Sequence, residues 1–397
     1  MRHLYRSFCL LKSVTPLLGL IILATSCGKD PAVDPDTDGT VRIAKECTSG
    51  LKPVNIVITG DGFLEEDYAT GGAFDQAANQ AIDALFSVEP FKTYSAYFRV
   101  QTVTAYSEER GATLKNASTK TNTIFGVTLD GGSSTGMSGK DDKVFDYAKK
   151  AQGITATELK QTVVIVISNY VQYAGTTYSY SDGRSIAYIA LSSGTSQLTR
   201  FGNVVVHEAG GHGFGRLADE YYNSNSGNIN NDPDALLEII EWQDRGYDQN
   251  VSLTPLHSKC PWNFIFTLPQ YQSDYNTVST IEGGALFAEG VWRPEPISCM
   301  NDNRLYFNAP SRVAIVKRIV EIAGTSFSMQ EFIDKDYDRF NTPAVLTSHA
   351  KPRQKRDSPR WLHRSESGDT GDKNVFLRPA TLPPSPHLSS PNNSKKL

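Results

Sequence analysis

One short stretch, residues 204–222, constrains this chain more than any other. Its sequence is Val-Val-Val-His-Glu-Ala-Gly-Gly-His-Gly-Phe-Gly-Arg-Leu-Ala-Asp-Glu-Tyr-Tyr. Two histidines, His207 and His212, bracket Glu208, and imidazole nitrogens and carboxylate oxygens are common ligands of zinc. A zinc ion lowers the pKa of a bound water towards neutrality, and Glu208 is placed to accept the proton as a general base. The stretch therefore predicts a catalytic zinc site.

The spacing of the two histidines is five residues, one more than in the common His-Glu-x-x-His helix. On a regular α-helix, positions five apart diverge by roughly 140°, so His207 and His212 would not reach one ion. A π-bulge absorbs the extra residue through an i→i+5 turn. Gly210 and Gly211 would ease the distortion, because glycine tolerates unusual backbone angles. The sequence therefore predicts a bulged helix that carries both ligands.

The third ligand must come from another residue type. The chain has seven histidines, of which four lie near its ends and only His257 remains in the body beside the pair. Gly215 can turn the chain back after the helix and bring Asp219 or Glu220 towards the ion. We favour Asp219 as the third ligand, with Glu220 as the alternative or as a group that supports the ligand from outside.

Length and charge limit the classes of protein to be considered. A chain of 397 residues with 39% hydrophobic content forms one large domain or two ordinary ones. The formal net charge is −4 and no basic face stands out, so we do not expect nucleic acid as a partner.

The N-terminus has the parts of a secretory signal over residues 1–26. Arg2, Arg6 and Lys12 precede an apolar run that is too short to span a bilayer. Cys27 follows small residues, which resembles the lipobox of bacterial lipoproteins. That resemblance implies export and lipid attachment at Cys27, in the outer membrane or on the cell surface; the alternative is an ordinary signal peptide with an incidental cysteine. Residues 27–48 are predicted to be a polar tether.

Hydrophobic patterns between residues 49 and 341 predict one α/β domain. The expected strands are 54–59, 97–103, 162–167 and 185–191, and the expected helices are 69–86, 141–151 and 312–323. The strand at 162–167 is apolar for most of its length and should be central. A short last helix is expected after Ser328, which with Glu331 has the form of a capping box. Residues 342–397 are rich in Pro, Ser and charged side chains and are predicted to be a disordered tail.

Five cysteines are present, and three of them, Cys47, Cys260 and Cys299, lie within or next to the predicted domain. In an exported protein one pair can form a disulfide. We expect Cys260 to pair with Cys299; three reduced thiols are the alternative.

The run from His207 to Tyr221 resembles the active-site signature of the IgA-peptidase family of zinc metallopeptidases. The resemblance extends to residues 60–63, Gly-Asp-Gly-Phe, and to residues 292–300, where Trp-Arg-Pro precedes Ser-Cys-Met. It covers roughly residues 50 to 340. The extra residue between Glu208 and His212 departs from the usual family pattern.

The resemblance implies a zincin-like fold, with a mixed twisted sheet, a long active-site helix and a Met-turn beneath the metal. Met300 is placed to be the methionine of that turn. In zincins the strand before the active-site helix lies at the sheet edge and pairs with extended substrate, and residues 185–191 occupy this place in the sequence. A buried inner strand is the alternative.

The expected function is zinc-dependent endopeptidase activity on extracellular proteins, in a monomer with one zinc ion. Tyr221, Tyr222 and Tyr306 are candidates for the donor that stabilises the oxyanion, and the sequence does not choose among them. The first alternative is a surface lipoprotein that binds protein or glycan through the same cleft without cleaving it. The second is a metal-dependent hydrolase of another substrate.

Overall fold

The computed structural model describes residues 36–132, 134–194, 196–222, 226–271, 278–340 and 377–382. The strands in chain order are β1 Val41–Lys45, β2 Val54–Asp61, β3 Phe98–Val103, β4 Thr113–Leu114, β5 Thr128–Leu129, β6 Met137–Ser138, β7 Val163–Val171, β8 Gly175–Tyr180, β9 Ser185–Leu191, β10 Ile281–Gly284, β11 Phe287–Arg293 and β12 Leu377–Thr381. The helices are α1 Ala73–Ser87, α2 Asp141–Ala148, α3 Ala156–Leu159, α4 Phe201–Val205, α5 Pro233–Asp244, α6 Cys299–Asp302, α7 Ala309–Ile322 and α8 Met329–Lys335, together with a π-helix at Val206–Phe214. Short 3-10 helices lie at Glu65–Tyr68, Ser95–Tyr97, Gln197–Thr199, Ile229–Asn231, Asn263–Thr267, Pro269–Tyr271 and Tyr337–Phe340.

The main sheet has seven strands in the order β1-β3-β2-β7-β9-β8-β12. Strands β3, β2, β7 and β9 pair in parallel, and β1, β8 and β12 add antiparallel strands at the two sides. The sheet is therefore mixed, as expected, and β7 lies at its centre as its apolar sequence predicts. Smaller sheets are formed by β4, β5 and β6 and by the β10–β11 hairpin.

Both faces of the central strands are covered, which explains their continuous apolar sequences. Because successive side chains point to opposite faces, Ile56 and Ile58 of β2 pack into one core and Val57 into another. The first core contains α1, α4 and α7, and the second contains α2 and the small β4–β5–β6 sheet. The π-helix belongs to the first core through Ala209 and Phe214, so its histidines lie against the sheet, inside the protein.

A third hydrophobic cluster supports the segment that follows the π-helix. It joins Ala218 to Ile239 of α5 and to Val291 of the β10–β11 hairpin. Backbone hydrogen bonds run from Ala285 to the Asp219 carbonyl and from Leu286 to the Tyr221 carbonyl. Residues 217–222 are therefore held by apolar packing at Ala218 and by backbone hydrogen bonds to the β10–β11 hairpin at Asp219 and Tyr221.

Most of the expected elements are present. Strands β2, β3, β7 and β9 and helices α1, α2 and α7 overlap the predicted ranges. The side chain of Ser328 accepts a hydrogen bond from the Glu331 backbone at the start of α8, as the capping sequence predicts.

Two predicted segment boundaries are wrong. The polar tether expected over residues 27–48 contains β1, which pairs with β3 along Val41–Lys45. The disordered tail expected over residues 342–397 contains β12, which pairs with β8. In both cases pairing with an existing strand orders a segment whose composition alone does not favour folding.

The predicted edge position of residues 185–191 is also wrong. Strand β9 lies between β7 and β8, so the alternative of a buried inner strand holds. The antiparallel strand β8 separates β9 from the sheet edge, and its polar sequence, Gly-Thr-Thr-Tyr-Ser-Tyr, gave no strand prediction.

The expected disulfide is absent, because Cys47, Cys260 and Cys299 are all free thiols. Cys260 and Cys299 are buried, and Cys299 is fully enclosed beside the π-helix. Burial raises the pKa of the Cys299 thiol well above its usual value. These two cysteines act as small core side chains.

The predicted signal peptide and the lipid-attachment residue Cys27 lie outside the described residues. Within the described ranges, no helix combines the length and the apolar character needed to cross a bilayer.

Candidate metal centre

The two histidines are brought together by a π-helix rather than by a regular α-helix. Helix α4 runs directly into Val206–Phe214, where the backbone takes the wider turn. The rings of His207 and His212 are 4.7 Å apart between centroids, and their Nε2 atoms are 3.0 Å apart. The predicted bulge is confirmed, and it extends over nine residues.

The glycines of this helix are needed for space rather than for unusual backbone angles. Gly210 and Gly211 are not among the described residues with positive φ, contrary to the expected reason for them. A Cβ on Gly211 would lie 2.2 Å from the Met300 sulfur, and one on Gly210 would lie 3.0 Å from Leu85. A side chain at Gly211 would therefore require the buried Met300 side chain to move, and one at Gly210 would press on Leu85.

The reversal that brings in the third group occurs one residue later than predicted. Gly215 has helical backbone angles, whereas Arg216 adopts a left-handed conformation with φ of 54°. The Leu217 backbone then donates to the Gly211 carbonyl, closing the turn. As a result, Asp219 Oδ1 lies 3.3 Å from Nε2 of each histidine.

His207, His212 and Asp219 form a buried group whose ligand atoms all lie within 4.8 Å of one another. The exposed fractions of the three residues are 0%, 3% and 8%. Burial alone would raise the pKa of Asp219, but the adjacent His212 and His207 rings lower it overall. Asp219 is therefore the favoured anionic member of the group.

The hydrogen bonds on the far sides of the rings fix their tautomers. His207 Nδ1 lies 3.0 Å from the Cys299 carbonyl, and His212 Nδ1 lies 2.8 Å from the Leu217 carbonyl. A carbonyl oxygen only accepts, so each Nδ1 carries a hydrogen, and Nε2 is the nitrogen that a neutral ring offers as a ligand.

The two Nε2 atoms lie 3.0 Å apart beside Asp219 Oδ1, and this oxygen has no hydrogen-bond partner among the described residues. Three electron-pair donors at this spacing repel one another unless a cation lies between them. The residues present therefore fit a metal ion.

Glu208 lies on the same helix and is completely buried. The Thr177 hydroxyl on β8 donates a 2.6 Å hydrogen bond to Glu208 Oε2, whereas Oε1 has no partner among the described residues. A Cβ on Gly175 would lie 2.9 Å from the Glu208 side chain, so β8 passes close to it. Burial raises the pKa of Glu208 to about 8. The carboxyl group therefore retains protons more readily than an exposed glutamate does.

Glu220 is not part of the histidine–aspartate group, which leaves Asp219 as the carboxylate there. Its oxygens accept hydrogen bonds from Asn250, Asn308 and Ser298 at 2.7–2.9 Å. Its backbone donates to the Met300 carbonyl. Burial raises the pKa of Glu220 to about 7. Glu220 therefore joins three segments that are distant in sequence and holds them next to Asp219. The sequence alone does not identify Asn250, Ser298 and Asn308 as partners of Glu220.

Met300 lies beneath the π-helix, fully buried and in contact with the position of Gly211. It follows Ser298, whose side chain begins α6 by accepting from the Met300 backbone. The neighbouring Cys299 carbonyl is the acceptor for His207. Residues 298–300 thus position His207 directly, through the Cys299 carbonyl. They also hold the chain at Asp219, because they bind the neighbouring Glu220.

The three candidate oxyanion donors differ in their surroundings. The Tyr306 hydroxyl donates a 2.8 Å hydrogen bond to the buried Glu295. Tyr221 is 5% exposed, and the Tyr222 ring packs against the Arg293 guanidinium, 5.8 Å from its centroid. Tyr306 therefore has a structural partner.

The mixed α/β domain therefore carries a buried carboxyl group, Glu208, on the same helix as two members of a group that could hold a metal ion. Residues 42–238 match the family model described as IgA Peptidase M64, and over these residues the chain belongs to that family of peptidases. No curated protein matches the chain. The matched range contains His207, Glu208, His212 and Asp219, whereas the segment around Met300 lies beyond it.

Proposed function

We propose that the protein is a zinc-dependent endopeptidase that hydrolyses extracellular proteins. The observation that carries the proposal is the convergence of two imidazole Nε2 atoms and one carboxylate oxygen, on a helix that also carries Glu208. Ligands about 2.0–2.2 Å from a tetrahedral zinc ion lie roughly 3.3 Å from one another. The observed separations are 3.0, 3.3 and 3.3 Å. The spacing therefore supports zinc held by three protein ligands.

A zinc ion held by His207, His212 and Asp219 would act as a Lewis acid and make water nucleophilic near neutral pH. Glu208 accepts the proton of the attacking water and then delivers it to the leaving amine of the substrate. Thr177 keeps one oxygen of Glu208 hydrogen-bonded, which leaves Oε1 as the oxygen that handles the proton. The buried position of Glu208 favours its protonated state midway through this cycle.

The same geometry supports a zincin-like arrangement in which Met300 is the methionine of a Met-turn. Its close packing on Gly211 and the hydrogen bond from His207 to the Cys299 carbonyl provide that support. For the oxyanion Tyr221, Tyr222 and Tyr306 remain the candidates, and Tyr306 donates a hydrogen bond to Glu295.

The cellular setting is proposed from the N-terminal sequence. Export, lipid attachment at Cys27 and anchoring in the outer membrane or at the cell surface would place a monomeric enzyme beside extracellular protein substrates.

The decisive experiment compares zinc content and casein cleavage for the chain that starts after Cys27 and for its Glu208→Gln variant. We expect about one zinc per chain in both, with cleavage only in the original chain. Zinc in both without cleavage would favour a surface protein that binds protein or glycan without hydrolysis. Absence of zinc from both would overturn the proposal.

A further inference from the structure

Strand β12 lies beside the candidate centre and comes from a part of the sequence far from it. It pairs antiparallel with β8, with Ala380 opposite Thr177. The hydroxyl of Thr177 holds Glu208, so this part of β12 passes close to the general base. The next residue after the strand is Leu382, whose carbonyl accepts a hydrogen bond from the Thr135 hydroxyl. Residues 377–382 therefore bind along β8 as an extended peptide would, mainly through main-chain pairing.

One side chain of this strand, Arg378, is buried against Asp248, Trp242 and Tyr247, which we call the arginine pocket. The Arg378 guanidinium makes a bidentate ion pair with the Asp248 carboxylate. Nη1 lies 2.5 Å from Oδ2 and Nη2 lies 2.8 Å from Oδ1. The guanidinium also lies 4.5 Å from the centroid of the Trp242 ring and 6.0 Å from that of Tyr247. Arg378 is 9% exposed and Asp248 is 1% exposed. The pocket thus combines a buried carboxylate with aromatic faces, which suits a planar guanidinium better than an ammonium group.

The pocket opens towards the candidate metal ligands. A cavity of about 40 Å³ is lined by His212, Asp219 and Asp248 and also by Arg378, Pro379 and Ala380. The residues of β12 and the zinc-ligand group therefore share one continuous space.

The pocket walls are held by contacts that do not involve residues 377–382. The Tyr247 hydroxyl bonds the Tyr180 carbonyl, and the Tyr247 ring packs edge-on against Trp242. The Asp248 backbone donates to the Arg216 carbonyl in the turn that leads to Asp219. The pocket is therefore built into the domain and tied to the metal-ligand loop.

We propose that Asp248, Trp242 and Tyr247 form a subsite for an arginine side chain of a peptide bound along β8, and that Arg378 of the chain itself occupies this subsite. The inference rests on the proposed peptidase function and adds a substrate class to it: extended peptides with an arginine next to the site of attack. Because residues 377–382 are attached to the same molecule, they compete with such peptides at a high effective concentration.

The test uses the Arg378→Ala variant of the chain and two blocked hexapeptides. One peptide, Leu-Arg-Pro-Ala-Thr-Leu, repeats residues 377–382. The other carries citrulline, which is neutral and nearly the same shape, in place of arginine. Titration calorimetry should show that the variant binds the arginine peptide about 30-fold more tightly than the citrulline peptide, because a buried charge pair is lost. Before substitution, the chain should bind the arginine peptide at least about tenfold more weakly than the variant does.

Two further variants make the result specific. Adding Asp248→Asn to Arg378→Ala should remove the preference for arginine. Arg42→Ala is the matched control, because Arg42 lies on β1 at the opposite edge of the sheet and pairs there with Asp36. It should leave peptide binding as in the unchanged chain. If Arg378→Ala does not fold, Arg378→Lys keeps the positive charge but not the two-pronged pair, and it should admit the arginine peptide to a smaller degree.

Equal binding of the two peptides to a folded Arg378 variant would overturn the subsite and leave β12 as a structural strand. Casein cleavage is measured in parallel. Arginine-selective binding without cleavage would support the subsite while contradicting the peptidase. Cleavage of casein without selective binding of the arginine peptide would support the peptidase and contradict the subsite.

Discussion

The Thr177 hydroxyl and the Glu208 carboxylate are joined by a 2.6 Å hydrogen bond between β8 and the π-helix. The same hydroxyl lies 2.9 Å from the Glu208 carbonyl. The pair lies 31 residues apart in sequence and is buried on both sides. Strand β8 therefore fixes both the backbone and the side chain of the proposed general base.

Thr177→Val should lower peptidase turnover about tenfold or more, because the isosteric valine leaves the Glu208 oxygen without its donor. Zinc content should not change, since Thr177 has no contact with the metal-ligand group among the described hydrogen bonds. The measurement is kcat on a peptide substrate together with zinc analysis. Thr59→Val is the control, because Thr59 is equally buried and donates to the Val103 carbonyl. Equal loss of turnover in both variants would show a general effect of stability instead.

Removal of the metal should lower the thermal stability as well as abolish cleavage. With neutral rings, the two Nε2 atoms and Asp219 Oδ1, which lie 3.0–3.3 Å apart, would repel one another without a cation. Zinc present at about 100 times its dissociation constant would contribute about 2.7 kcal/mol to the free energy of unfolding. Scanning calorimetry before and after treatment with a chelator should show a lower Tm that zinc restores. His212→Ala should show the low Tm from the start, and zinc should not raise it.

The sequence identifies the centre of the site because its ligands are close together along the chain. His207, Glu208, His212 and Asp219 lie within thirteen residues, and the five-residue spacing itself requires a π-turn. The groups that support these residues are not predictable in this way. Glu220 bonds Asn250, Ser298 and Asn308, which are 30, 78 and 88 residues away.

The fold is predictable where a strand is buried on both faces and less so at the sheet margin. Strand β7 is identified by its apolar run and lies centrally. The position of β9 was wrong because an apolar run shows burial but not which strand lies beside it. Strands β8 and β12 have polar or proline-containing sequences, and only their pairing with each other and with β9 makes them strands.

Gly211→Ala should destabilise the protein by about 1–3 kcal/mol and weaken zinc binding, because the added methyl group would lie 2.2 Å from the Met300 sulfur. The displaced helix would separate His207 from the Cys299 carbonyl. Adding Met300→Ala should recover part of the zinc affinity by making room. Gly284→Ala is the matched control, since its Cβ would meet only ordinary contacts at 3.5 Å or more. The measurements are urea unfolding and zinc titration, and an intact zinc affinity in Gly211→Ala would contradict this account.

Glu220→Gln should weaken zinc binding about 10–100-fold although Glu220 is not a ligand. Its carboxylate accepts from two amide groups and a hydroxyl, whereas a glutamine would point an NH₂ group at one of these donors. The loops that carry Asp219 and Met300 would then lose a common anchor, and the free energy of unfolding should fall by about 1–3 kcal/mol. Glu241→Gln, on the exposed face of α5, controls for loss of a negative charge. Zinc affinity is measured by competition with a chelating dye. A weaker affinity in Glu220→Gln but not in Glu241→Gln would support a role of Glu220 in positioning Asp219. An unchanged zinc affinity with a lower free energy of unfolding would mean that Glu220 stabilises the fold only.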